Sequence, residues 1–493
     1  MNMPVIDPRT PVLVGIGVVQ QKEKDPSVAR EAVALMSAAA RLAGADSGAP
    51  GLLARLERIA VPQGLWGYAD PARMLARELG APGARTVYAQ LGILQQALMG
   101  DACQRIAAGE IEVAMVVGGE ARFRHLQAQI AGQEAPETPF AEPPDETLKP
   151  ATELVLEVEV GSGLGYMPVA YYAIIESAFR HAMGWGVAEH RDRMAALYER
   201  FSEIAVDNPQ AWKRERVAAG QIRDASARNR MLAFPYTKLH NTSWNVDQAA
   251  ALLFCSAGVA EELGVPRERW VFPRASTESN HMLALSQRPE IHRCPGARIA
   301  GRRALALSGL DIEDVDLLEL YSCFPIAVES YAAELGVAEG RDLTVTGGMP
   351  FAGGPLNNYV LQATARMAEL LRAGGARTGL VSSVSGYLTK QGFGVWSMAP
   401  GPSGFGFADV SDEVAAESPA RAVAALVDGP VSIVGCTVMY HEDRALCAVA
   451  VVDQADGSRS LASSGDPVVM ERVETSECCG LAARVQDGVL RLD

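Results

Sequence analysis

The sequence predicts two α/β halves separated by an inserted segment and followed by a small β domain, and three observations carry that prediction. Short β-branched runs alternate with helix-period segments over residues 1–122. The alternation lapses from about 123 to 239 and then resumes. Beyond residue 400, strand-like runs follow one another with only polar turns between them.

Taken in order, Pro11 to Val19 (PVLVGIGVV) reads as a buried strand, and Ser27 to Leu42 repeats apolar residues at helical spacing until Gly44. Leu56 to Pro62 is a second strand, Asp70 to Leu79 a helix behind an Asp cap, and Arg85 to Ala89 a third strand. Leu94 to Ala108 is an Ala, Leu and Gln-rich helix ended by Gly109. Ile111 to Val117 (IEVAMVV) is a buried strand running into Gly118-Gly119-Glu120. This β-α-β-α-β order predicts a mostly parallel sheet with helices on both faces.

From Arg122 to Lys238 the pattern reads as an excursion, with a Pro, Glu and Thr-rich stretch at Pro136 to Pro150. Between Arg180 and Arg230 it is rich in arginine, often with acidic neighbours at helical spacing. That fits salt-bridged helix faces, the alternative being a patch for a polyphosphate-bearing ligand.

Alternation resumes at Asp247 to Cys255 and Arg269 to Pro273, then a helix at Pro295 to Ser308, a strand at Val315 to Tyr321 and a helix at Ile326 to Leu335. Gly-rich turns near Gly347 precede a helix at Asn357 to Ala373 and a strand at Gly379 to Val384. After Ala399-Pro-Gly-Pro, strand-like runs at Val431 to Tyr440, Ala445 to Val452, Ser458 to Ser463 and Val468 to Val473 predict a small β-barrel or sandwich.

The 493 residues carry 44 basic against 59 acidic side chains, a formal charge of −15, which argues against nucleic acid or an anionic membrane as partner. With 48% hydrophobic and 21% charged residues the chain can bury sizeable cores. The start, MNMPVIDPRT, lacks a basic leader region, and no apolar run is long enough to span a bilayer, so the expectation is a cytoplasmic protein. Eight scattered cysteines, without a C-x-x-C repeat, read as free thiols, and no metal-ligand spacing is legible.

Five segments, in order, resemble the thiolase superfamily. Leu94 to Glu120 resembles the helix and strand that follow the reactive cysteine, and WNVDQAAALLFCS (Trp244 to Ser256) the segment closing the first half. DVDLLELYSCFPIAV (Asp314 to Val328) resembles the strand leading to N-E-A-F or H-D-C-F, TGGMPFAGGPLNN (Thr346 to Asn358) the G-H-P loop, and GLVSSVSGYLTKQGFGVWS (Gly379 to Ser397) the C-x-G loop. The Y-S-C-F-P, F-A-G-G-P-x-N-N-Y and G-Y-L-T-K runs are similar to thiolase-like protein type 1, which also has an additional C-terminal domain. The resemblance implies a five-layered α-β-α-β-α body, with 1–122 plus 240–264 as the first half, 123–239 as an inserted loop domain and 265–400 as the second half. Residues 401–493 form the added, barrel-like domain. It further implies coenzyme A as a substrate moiety, no covalently bound cofactor, and a homodimer, with a monomer compatible with the added domain.

Set against that family, the nucleophilic cysteine's place falls at about Gly92, and Cys103 lies eleven residues further along, roughly 16 Å up the helix. Aligning Pro355 with the proline of G-H-P puts Gly354 where the histidine belongs, and serines fill the C-x-G region. An acyl-cysteine route is therefore not expected. What the resemblance leaves is Tyr321 and Cys323: the cysteine matches the acid/base of the sterol-carrier-protein thiolases, and the tyrosine a position used in thiolase-related steroid side-chain aldolases. Both suit proton transfer beside a thioester enolate if their pKa values move toward neutrality. Backbone donors at Gly353 and Gly354 and the amides of Asn357 and Asn358 are candidates for an oxyanion site, with helix capping the alternative for one asparagine. His240 and His281 are candidates to line the cleft, structural histidines being the simpler reading, and Lys390 is expected at the surface. The functional expectation is an acyltransferase or carbon–carbon lyase acting on acyl-CoA; the alternative is a non-catalytic binder of coenzyme A or an acyl chain.

Overall fold

Alanine-rich helices and strands that are apolar at nearly every position must cover both faces of a sheet, and the first half does this in chain order. It lays down β1 (Pro11–Gln21), α1 (Ala32–Asp46), β2 (Arg58–Pro62), α2 (Pro71–Glu78), β3 (Arg85–Ala89), α3 (Gln95–Ala108) and β4 (Val113–Ala121). This computed structural model describes residues 6–150 and 154–492, so the part of the leader reading that falls on the first five residues lies outside the described residues. The inserted stretch is largely helical: α4 (Arg122–Ala131), β5 (Glu146–Leu148), α5 (Glu157–Glu159), α6 (Pro168–Ala182), α7 (Val187–Asp207) and α8 (Ala219–Arg223), then β6 (Met231–Ala233) and β7 (Tyr236–Thr237). Strand β8 (Asp247–Ser256) returns to the first sheet and is followed by α9 (Ala257–Glu262).

The first sheet has the order β1-β8-β4-β2-β3-β5. It is parallel from β4 to β5 but antiparallel at β1–β8 and β8–β4. Five of the six strands run the same way, as the β-α-β-α-β order predicts; β8 is the exception, coming back after the insertion to slot between β1 and β4.

The second half comprises β9 (Phe272–Ser279), α10 (Pro295–Ser308), β10 (Leu317–Glu319), α11 (Pro325–Leu335), α12 (Met349–Ala352), α13 (Tyr359–Ala373), β11 (Thr378–Ser385), β12 (Lys390–Ser397), β13 (Gly406–Asp409) and α14 (Ser411–Glu417). Its sheet order is β10-β11-β12-β9-β13, so the sheet continues past residue 400 through β13 beside β9. Helix α10 starts on Pro295 and stops at Gly309, which takes the left-handed conformation (φ +65°) that a side chain would strain. The strand expected at Arg269 to Pro273 begins only at Phe272, because Arg267–Arg269 form a short turn whose Arg267 stacks on Trp270.

Helices α3 and α13 lie between the two sheets and touch both; α1 and α2 cover the outer face of the first, α10 that of the second, and α11 packs on α10. The body is thus layered α-β-α-β-α. Its interior is continuous from Leu98 and Met99 on α3 to Val360 and Ala363 on α13.

The last segment forms β14 (Gly429–His441), β15 (Arg444–Gln454), β16 (Arg459–Ser464), α15 (Pro467–Thr475), β17 (Ala482–Gln486) and β18 (Val489–Arg491). The order β15-β16-β18-β17-β14, with β14 pairing back to β15, closes a five-stranded barrel. Val468 to Val473, expected as a strand, is helical. Asp466 accepts the Val468 amide at 2.9 Å, Pro467 starts the helix, and Val469, Met470 and Val473 face the barrel at helical spacing.

The β6–β7 hairpin of the inserted stretch joins the barrel, Ala233 lying opposite Met439, and Arg180 on α6 pairs with Glu477 at 2.9 Å. Several arginines of the inserted stretch are ion-paired, Arg200 with Asp342 and Glu203 and Arg223 with Asp192 and Asp224, which supports the salt-bridged reading for those helix faces. All eight cysteines are free, and no helix among the described residues is long and apolar enough to cross a membrane.

Candidate functional site

The run that leaves β10 is Tyr321-Ser322-Cys323-Phe324, and it ends where Pro325 starts α11. The Tyr321 amide donates to Ser382 Oγ at 2.9 Å, which ties the strand end to β11. Its ring stands edge-on to Tyr359, the first residue of α13, with centroids 5.7 Å apart. Cys323 is partly buried and its thiol is hydrogen-bonded to the Tyr172 hydroxyl from α6. Tyr172 also stacks on Phe324 at 4.3 Å, and Tyr236 tilts against the same ring at 5.5 Å. The inserted stretch therefore supplies an aromatic wall to the site.

Burial pushes the Cys323 thiol up to about 12, and it raises the Tyr321 phenol as well, with the adjacent thiol adding to the effect. The shift toward neutrality required for proton exchange runs the other way. Near pH 7 both groups are protonated, so they serve as hydrogen-bond donors rather than bases.

A buried carboxylate that the sequence did not single out holds this corner together. Glu319, the last residue of β10, is fully buried and accepts from the Thr344 hydroxyl (2.9 Å), the Val345 and Thr346 amides (2.8 and 2.9 Å), the Thr346 hydroxyl (3.2 Å) and the Tyr359 hydroxyl (2.5 Å). Ser322 Oγ accepts the Met349 amide at 3.0 Å. Glycine is required at Gly348, where φ is +76° and an added Cβ would meet the Phe201 ring at 2.5 Å. A lone acidic residue inside the apolar run LLELY (Leu317 to Tyr321) was the available signal.

The start of α3 meets the start of α13. Gln95 Oε1 accepts the Val360 amide at 2.7 Å, while its Nε2 lies 3.3 Å from Asn357 Oδ1. Asn357 Nδ2 and both side-chain polar atoms of Asn358 are buried without a hydrogen-bond partner. Asn358 occupies the N-cap position of α13 but its side chain makes no capping bond. Instead it packs on Gly118, where an added Cβ would lie 2.5 Å from Asn358 Oδ1. Unpaired buried amides are costly, and a ligand carbonyl would satisfy them.

Other candidates are placed elsewhere or already engaged. The Gly354 amide donates to the Ser243 carbonyl at 3.0 Å, so that donor is committed within the loop. Gly353 (φ +94°) backs onto Gln248, whose Nε2 donates to the Ala352 carbonyl at 3.0 Å. His240 is buried beside Tyr198 and Tyr236, with Nδ1 3.2 Å from the Thr237 amide; burial drops it to about 3, so it is neutral. His281 lines a different cleft of about 180 Å³ with Arg288, Arg293 and Cys294, its Nε2 3.4 Å from the Ser418 carbonyl. Lys390, expected at the surface, is only 3% exposed and its Nζ donates to the Gly92 carbonyl at 2.7 Å. The long side chain enters the body because Lys390 opens β12, which is flanked on both sides by other strands.

Tyr321 touches Tyr359 at the start of α13, directly after Asn357 and Asn358, and Asn357 in turn meets Gln95 at the start of α3, whereas His281 lines a separate cleft. The strand end offers neutral donors and the start of α13 buried amides, groups suited to a polarised carbonyl oxygen.

No family model matches the chain. An acetyl-CoA acetyltransferase of Methanothermobacter thermautotrophicus is 28% identical over 233 residues, which cover 42% of this chain and 58% of that protein. The chain thus spans under two thirds of this curated relative's length. Among solved structures, a monomeric SCP2-thiolase like protein type 1 from Mycobacterium smegmatis superposes with a TM-score of 0.81 at 28% identity over 99% of both chains. An Ltp2–ChsH2(DUF35) aldolase superposes with a TM-score of 0.59 at 17% identity, over 79% of this chain and 98% of that one, a likeness of fold alone.

Proposed function

We propose, taking the thiolase-superfamily fold of this chain as the premise, that it acts on acyl-CoA thioesters as an acyltransferase or carbon–carbon lyase without an acyl-cysteine intermediate. The observation that carries the reading is the pair of buried, unpartnered Nδ2 groups of Asn357 and Asn358, which immediately precede the Tyr359 ring that packs on Tyr321. In this reading the amides receive the thioester oxygen, which becomes more negative as an enolate develops. The Tyr321 hydroxyl and Cys323 thiol, held protonated by burial, donate to it. Coenzyme A as the substrate moiety rests on the names of the relatives and on the fold.

The second reading, a binder of coenzyme A or an acyl chain, is favoured by one observation: neither group is poised to take a proton near pH 7. Purified protein incubated with short, medium and ring-bearing acyl-CoA and 3-oxoacyl-CoA esters, with and without free coenzyme A, separates the two. Cleaved or condensed products without a protein mass adduct are expected for the enzyme, and their loss in Tyr321→Phe or Cys323→Ala assigns the site. Esters retained unchanged support the binder.

A further inference from the structure

On the far side of the aromatic wall, three helices bring together ionisable groups that this chemistry does not use. Glu176 lies on α6, His190 on α7 and Glu329 on α11, and one ligand atom from each lies within 4.8 Å of the others. His190 Nε2 is 2.7 Å from Glu176 Oε1 and 3.5 Å from Glu329 Oε2. The three side chains are 1%, 2% and 13% exposed for Glu176, His190 and Glu329. Despite these distances, neither His190 nitrogen has a hydrogen-bond partner, and no N–H or hydroxyl is aimed at Glu176 Oε1 or Glu329 Oε2, which lie close enough to hydrogen-bond each other through one proton.

Two carboxyl groups this close and this buried must share a proton or be balanced by a cation. The nearby arginines are engaged elsewhere: Arg180 holds Glu477 at 2.9 Å, while Arg193 pairs with Glu189 at 3.2 Å and stacks on Trp185. A divalent cation would balance both carboxylates at once. One imidazole nitrogen and two carboxylate oxygens form a mixed N/O donor set of the kind zinc accepts. The other oxygen of Glu176 takes the Tyr236 hydroxyl at 2.5 Å, a bond that would orient the carboxylate toward an ion.

We propose that Glu176, His190 and Glu329 bind one divalent metal ion of the zinc class. The ion pins the inserted helices α6 and α7 to α11. Because Tyr236 bonds Glu176 and packs against Phe324, it also steadies the wall beside Cys323.

The test is elemental analysis of the full-length protein as purified, then after chelator dialysis and reloading with zinc chloride alone. One zinc per chain is expected, together with a rise in thermal midpoint on reloading. Stoichiometry should fall at least tenfold in Glu176→Gln and His190→Asn. Cobalt in place of zinc should bind without a thiolate charge-transfer band. Zinc that neither binds nor shifts the midpoint of the wild-type protein overturns the proposal, whatever the variants do, and leaves a proton shared between the two carboxylates. Zinc kept in Glu176→Gln but lost in Cys478→Ser overturns it too, by moving the ion to the barrel, where the Cys436 thiol is hydrogen-bonded to Cys478 and Cys479.

Discussion

Lys390 Nζ donates to the carbonyl of Gly92 at 2.7 Å, joining β12 of the second half to the loop that introduces α3 in the first. Gly92 has φ +103° and an added Cβ would meet Pro150 at 3.0 Å, so this loop is constrained by its own backbone as well as by the ammonium group. Lys390→Met removes the donor and the positive charge that favours the Glu278 carboxylate. The expected outcome is a loss of about 1–3 kcal/mol in urea unfolding, with faster amide exchange across residues 91–94.

Glu319 makes the heavier structural contribution. Glu319→Ala leaves two backbone amides and three hydroxyls buried without their acceptor. A loss of about 3–5 kcal/mol is expected, and roughly half that for Glu319→Gln, which keeps one acceptor oxygen. Thermal and denaturant unfolding of the two variants measures the difference.

Asn358 should behave in the opposite sense. Its amide is already unpartnered, so Asn358→Ala should change stability by less than about 1 kcal/mol while weakening acyl-CoA affinity about tenfold. Calorimetric titration alongside an unfolding curve checks both halves; a variant that unfolds easily yet binds normally would refute the role assigned to this amide.

A thiol whose pKa stands at about 12 is almost wholly protonated at pH 8. Alkylation of Cys323 by iodoacetamide at that pH should run about a thousandfold slower than that of a free cysteine. Peptide mapping over time reads this directly, and rapid labelling would indicate a thiolate able to act as base.

Glu278 and Glu120 are both pushed up to about 7, burial being the main cause in each; Asp409 raises Glu278 further, whereas the Leu65 amide opposes the shift at Glu120. A carboxyl with a raised folded-state pKa contributes stability that is complete below its unfolded value, near 4.5, and is lost as pH rises through 7. Unfolding free energy should therefore decline across that window, by roughly 3 kcal/mol per group, and Glu278→Gln should flatten the decline.

Much of the fold was legible because helices and strands announce themselves locally. Arg85 to Ala89 and Pro295 to Ser308 match β3 and α10 at both ends, since a β-branched run and a Pro-to-Gly frame leave little choice. Val468 to Val473 misled because its apolar residues suit either period, and only the Asp466-Pro467 cap distinguishes them. The site was partly legible: the Tyr321 ring packs against the start of α13, where the buried amides of Asn357 and Asn358 lie. Yet the partners that define them, Tyr172, Gln95 and Glu319, come from segments whose sequence signal is that of ordinary packing.

The sequence by itself determined most of the helices and strands and their alternation, because periodicity and capping act over a few neighbouring positions. Tertiary structure alone decided that Lys390 is buried, that the Gly354 amide is spent on Ser243, that Tyr321 and Cys323 stay protonated, and that Glu176, His190 and Glu329 converge. Burial, donor commitment and pKa depend on groups brought together from distant parts of the chain, and no local pattern encodes which of them face one another.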